Sequence, residues 1–81
     1  MSSEQPYKPV LIVDTKGMLC PLPVFKTKQA MSKINKNEVI EVLATDPVAE
    51  NDITSWVRRN GHHLLEMQKV GDVLRFLIKK A

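Results

Sequence analysis

Cysteine occurs once in this chain, at Cys20, so no disulfide can close within it. That excludes the small secreted scaffolds that depend on several bridges. With no Cys-x-x-Cys pair, a thiol–disulfide oxidoreductase is disfavoured as well. Aromatic residues are scarce, at 5%. They offer no strand-borne pair on which RNA bases would stack, and no Gly-x-x-Gly clamp accompanies them. No apolar run approaches the ~20 residues that span a bilayer. The N-terminal "MSSEQPYKP" lacks the apolar core of a signal peptide. The expectation from these absences is a reduced thiol in the cytoplasm, with no membrane partner and no direct nucleic-acid partner. His62 and His63 are adjacent, and neighbours on a strand face opposite sides. No cysteine cluster joins them, so no metal site is expected.

What remains is a chain of 81 residues with a net charge of +3. That length is one small domain, which buries roughly 60–65% of its unfolded surface. A charge of this size is ordinary for such a domain. It keeps open, as the alternative to any chemistry at Cys20, a small basic nucleic-acid- or protein-binding module.

Residues 1–9 read as a disordered arm, with Pro6 and Pro9 and no apolar pattern; residues 10–81 read as a single domain. Val10–Asp14 is a β-branched run expected to be a strand buried on both faces. Val24, Thr27, Met31 and Ile34, with Ala30 beside them, form one apolar stripe at helical spacing. Lys26, Lys28, Lys33 and Lys36 fall off that stripe, toward solvent. Glu38–Thr45 alternates as a strand, with Ile40, Val42 and Ala44 on one face. Asp46 and Pro47 read as the cap and first residue of a second helix ending near Asn60, with a possible restart at Asp52. Ile53, Trp56 and Val57 form its apolar stripe, and Gly61 its terminator. His63–Val70 and Val73–Lys80 flank Gly71-Asp72 as a hairpin. The order is β-α-β-α-β-β, an α/β (α+β) two-layer sandwich: a four-stranded mixed sheet with two helices on one face.

The stretch "GMLCPLPVFKTKQA" places Cys20 directly before Pro21 and Pro23. A residue preceding proline avoids the helical region, and proline is at home in a helix's first turn. Cys20 is therefore expected as the N-cap of the first helix, with its sulfur near the free N–H of Leu22 and the positive end of the helix dipole. Such a position favours thiolate over thiol. Met18, Leu19, Leu22 and Phe25 surround the cysteine. Exposed, they form an apolar docking rim; alternatively Leu19 or Leu22 plugs the core. Asp14 and Gly17 are read as shaping the loop, and Asp46 as a cap that also contacts partners. A Cys20–His63 pair stays as an alternative to the helix terminus.

"VDTKGMLCPLPVFKTKQA" resembles the signature of the TusA/SirA family of small sulfur-carrier proteins, with its Cys-Pro-x-Pro motif. Asp14, Gly17 and Cys20 match the D-x-x-G-x-x-C spacing. "ATDPVAENDI" matches the D-P-x(4)-D-[IL] segment, and "GHHLLEMQKVGDVLRFLIKK" the closing hairpin. The resemblance runs over about residues 10–80. It implies that Cys20 carries sulfane sulfur as a covalent persulfide, without another cofactor, and that Pro21, Leu22 and Pro23 mount and stabilise it. Leu22 stands where other members carry an acidic residue, which implies a less negative site. The implied partners are a sulfur donor (cysteine desulfurase or rhodanese) and an acceptor (a DsrE/TusD-like or heterodisulfide-reductase-like protein). They would dock on Met18, Leu19, Phe25, Lys26, Lys28 and Asp46, with the carrier a monomer. Transfer chains of this kind serve tRNA thiolation, molybdenum-cofactor supply or sulfur oxidation.

Overall fold

A computed structural model describes residues 8–81. Most of the arm expected over residues 1–9 lies outside the described residues. The elements run β1 (Leu11–Thr15), α1 (Leu22–Met31), β2 (Val39–Ala44), α2 (Ala49–Arg59), β3 (His63–Val70) and β4 (Val73–Lys79). The strands form one sheet in the order β1-β2-β4-β3. β1 and β2 are parallel, as a helix crossover requires, and the other pairings are antiparallel. The expected two-layer α+β sandwich is the observed fold.

The core lies between one sheet face and both helices. β2 contributes Ile40, Val42 and Ala44, and β4 contributes Leu74, Phe76 and Ile78. Ala30 and Met31 of α1 and Ile53 and Val57 of α2 close over them. Removing such side chains from water is the main drive to fold. The opposite sheet face carries no helix. There Leu77 is nonetheless fully buried, paired in register with Glu41 on β2 and Glu66 on β3. Arg75 binds both carboxylates, with Nε 3.2 Å from Glu41 and Nη1 3.5 Å from Glu66. Its long aliphatic stem lets a charged residue cover apolar surface.

Three expectations need correction. β1 is an edge strand, not a strand buried on both faces: Ile12 on the helix-free face is 65% exposed. Leu11, Val13 and Thr15 share the inward face; Val13 packs on the core and Thr15 is fully buried, while Leu11 at the strand's start stays exposed. The first helix ends at Met31, before Ile34, which is buried from the following turn. The second helix starts at Ala49, not Pro47, and runs without a restart at Asp52. Pro47 and Val48 form a turn ahead of it, because the Ala49 N–H already bonds back to the Asp46 carbonyl at 2.9 Å.

Its C-terminus follows the sequence. Gly61 has φ +73°, its N–H donates to Arg58 at 3.2 Å, and the His62 N–H donates to Val57 at 3.0 Å. This is the paired bonding of a glycine-terminated helix. A Cβ at Gly61 meets no atom within 4 Å, so Gly61→Ala carries only the backbone strain of the left-handed region. The expected loss is about 1 kcal/mol, read by urea denaturation. A variant as stable as wild type would show that the helix end tolerates another conformation.

Candidate functional site

The site lies beyond the C-terminal ends of the two parallel strands, where open α/β sheets bind ligands. Two loops meet there, residues 16–21 after β1 and residues 45–48 after β2. Thr15 anchors the first strand end, its Oγ1 donating to the Leu43 carbonyl at 2.6 Å. Asp14 Oδ1 accepts the Lys16 N–H at 3.0 Å, an Asx turn. Gly17, at φ +83°, turns the chain so that its N–H reaches Thr45 Oγ1 at 2.9 Å. Asp14 and Gly17 thus shape the loop, as read from sequence.

The loop then delivers Cys20, whose thiol is exposed. Asp46 holds its backbone: Oδ2 accepts the Cys20 N–H at 2.7 Å, and Oδ1 accepts the Val48 N–H at 3.1 Å. The Cys20–Pro21 peptide bond is cis. Pro21 caps α1, Leu22 and Pro23 are its first residues, and Pro23 is buried. Cys20 therefore sits one residue before the cap instead of at it. The Leu22 N–H is not free for the sulfur, since it donates to the Leu19 carbonyl at 2.9 Å. The sulfur turns instead toward α2, and Sγ donates to Asp52 Oδ2 at 3.1 Å.

This reverses the expected acidity. The hydrogen bond to Asp52 raises the Cys20 pKa above its ordinary value. Partial desolvation and the negative charges of Asp52 and Asp46 push in the same direction. Each of these causes favours the protonated thiol over the thiolate. The site is also more negative than Leu22 alone implies, because one carboxylate arrives from the second loop, Asp46, and one from α2, Asp52. Asp52 is the residue that sequence reasoning missed. Its place in the D-P-x(4)-D segment was visible, but its contact with a residue 32 positions away was not.

The candidate docking residues divide. Leu19 is 70% exposed, Phe25 52% and Leu22 45%, so neither leucine plugs the core; Pro23 does. Pro21, Leu22, Val24, Phe25 and Lys28 border an apolar groove of about 450 Å³ closed by Trp56 of α2. Trp56 is thus a groove wall as well as a core neighbour, and its ring lies 5.3 Å from that of His62. Met18 is half-buried in the loop. Lys26 lies away from the groove, bordering a cleft beside Leu11 and Ile12 of β1. Asp46 is 7% exposed, and both its oxygens are engaged within the chain, so its carboxylate serves the loop's own backbone. His63 pairs with Lys79 across the hairpin, and the thiol's partner is Asp52. Among the described residues no cluster of His, Cys, Asp and Glu could hold a metal, and no helix is long and apolar enough to cross a membrane.

A family model described as "Sulfurtransferase TusA" matches residues 11–80. The chain is similar to YrkI of Bacillus subtilis (strain 168), whose name gives it provisionally as a sulfur carrier protein. The two are 45% identical over 69 residues, which is 85% of this chain and 92% of the relative. The "Sulfur carrier protein TusA" of Allochromatium vinosum is 33% identical over 69 residues, 85% of this chain and 91% of that one. The crystal structure of a SirA-like protein from Desulfitobacterium hafniense superposes with a TM-score of 0.76 at 22% identity. That alignment covers 85% of this chain and 95% of the other, and it speaks for the fold. With a family match along nearly its whole length and full-length relatives of its own size, the chain belongs to the TusA family of sulfur carriers.

Proposed function

We propose that Cys20 accepts a sulfane sulfur as a persulfide from a donor protein and hands it to a thiol of an acceptor protein. The observation that carries this reading is the mount of the sulfur. An exposed thiol stands on a turn pinned through its own backbone N–H by Asp46, next to exposed apolar side chains. Transfer is attack by one sulfur on another, as in disulfide exchange, and the second sulfur comes from the partner. One cysteine suffices, and the persulfide is the only prosthetic group the reaction needs. A lone reduced thiol suits a reducing compartment, the cytoplasm. Donors of the desulfurase or rhodanese type and acceptors of the DsrE/TusD or heterodisulfide-reductase type fit this chemistry, and a monomer presents the sulfur to each in turn.

The test is intact mass after incubation with cysteine and a desulfurase, or thiosulfate and a rhodanese. Wild type is expected to gain one sulfur atom, and a reductant to remove it. No gain with either donor, from a thiol that still alkylates, would overturn the reading.

Leu19, Leu22 and Phe25 support docking beside the sulfur, and Lys28 at the groove supports steering of an acidic partner surface. Reversing Lys28 to Glu is expected to slow transfer about tenfold at low salt and to flatten its salt dependence. Lys26→Glu, on the other side of α1, is expected to do less. Equal effects of the two in stopped-flow transfer assays would move the encounter surface off the groove.

A further inference from the structure

The geometry points to Asp52 as a positioning residue that biases the loaded carrier toward discharge, an inference that rests on the persulfide reading above. In the empty carrier the Cys20 Sγ–H donates to Asp52 Oδ2 at 3.1 Å. Loading removes that donor. Cys20 Sγ bonds to the outer sulfur of the donor's persulfide anion, and the donor's S–S bond breaks with its electron pair staying on the donor sulfur. The proton of Cys20 goes to that sulfur. A donor persulfide anion and a thiol become a donor thiol and a Cys20 persulfide anion, with no oxidant or reductant consumed. Discharge is the same exchange run onto an acceptor thiol.

Asp52 treats the two states differently. Toward the thiol it is a hydrogen-bond acceptor. Toward the persulfide it faces a sulfur without a proton and a terminal sulfur bearing a negative charge, since a persulfide is more acidic than a thiol. Like charges at this separation disfavour each other. The charged groups acting on Cys20 are Asp52 on α2 and Asp46 in the turn before it, both negative. Asp46 keeps its bond to the Cys20 N–H in either state, so it fixes position, whereas Asp52 changes from partner to repellent. An interaction shifts an equilibrium only by its difference between the two states, and Asp52 has such a difference. Its effect is to weaken the carrier's hold on sulfur and keep the cargo transferable.

The experiment equilibrates wild type and Asp52→Asn with glutathione persulfide and glutathione at fixed ratios, reading the loaded fraction by intact mass. Asp52→Asn is expected to move the exchange constant about two- to fivefold toward the loaded carrier, the range for charges meeting at an exposed site. The gap is expected to close as pH falls below the ionisation of the persulfide, because a protonated persulfide donates to Asp52 as the thiol does. In the same variant the pH midpoint for alkylation of the empty thiol is expected to drop. A side chain that only stabilised α2 would change the melting temperature and move neither the exchange constant nor this midpoint. A wild type that loads normally beside an Asn variant with an unchanged exchange constant, or one shifted toward the empty carrier, overturns this inference alone. A wild type that takes up no sulfur overturns the persulfide reading, and this inference with it.

Discussion

Cys20→Ala and Cys20→Ser are expected to take up no sulfur from either donor system and to keep the denaturation midpoint of wild type. The sulfur is exposed, and its one hydrogen bond is to Asp52. None of the core between the helices and the sheet rests on it. The pair separates two roles of the side chain. Serine offers an O–H that can donate to Asp52, but it cannot hold a sulfane sulfur; alanine does neither. Equal loss of loading in both, with equal stability, places the whole effect in sulfur chemistry. Uptake by either variant would put the carrying atom elsewhere, and unfolding of either would make Cys20 a structural residue.

The second large effect belongs to Asp46. Asp46→Ala is expected to lower stability by about 2 kcal/mol, the scale for losing hydrogen bonds to a charged acceptor. Two backbone donors lose their partner, the N–H of Cys20 and that of Val48. The first ties the loop after β1 to the turn after β2, and the second shapes the approach to α2. Asp46→Asn keeps one acceptor oxygen and is expected to fall between alanine and wild type in urea denaturation. Sulfur loading by Asp46→Ala is expected to slow as well, because the Cys20 backbone N–H then loses its anchor in the second loop, and the Gly17–Thr45 bond ties the loop farther from the sulfur. A fully stable alanine variant would mean that water replaces the carboxylate without loss.

The strand–helix order, the hairpin about Gly71-Asp72 and the core stripe of α2 were legible because each rests on short-range periodicity or a local backbone requirement. Cys20, Asp14, Gly17 and the two prolines were legible as a motif, and the resemblance of that motif to sulfur carriers agrees with the family match. The acidity of the thiol was not. It depends on Asp52, which reaches the sulfur only after β2 lies beside β1 and α2 folds back across α1. The burial of β1 failed for a similar reason. A run such as "VLIVD" reads alike in a central and an edge strand, and the difference is set by β4 taking the other side of β2. Asp46 reads from sequence as the cap of the second helix, but the cap is Val48; Asp46 sits in the turn before it, one oxygen on the Val48 N–H and the other on the Cys20 N–H.

Contacts that join the loop after β1 to the β2–α2 region span 26 to 32 residues of chain: Gly17 to Thr45, Cys20 to Asp46, Cys20 to Asp52. None can form in a fragment that ends before β2, so on a ribosome the emerging cysteine passes through a stage with neither carboxylate beside it. Its thiol then ionises at the ordinary value for the residue. The hydrogen bond and the negative charges that raise its pKa arrive only with the fold, which holds back ionisation of the sulfur while leaving it open to touch.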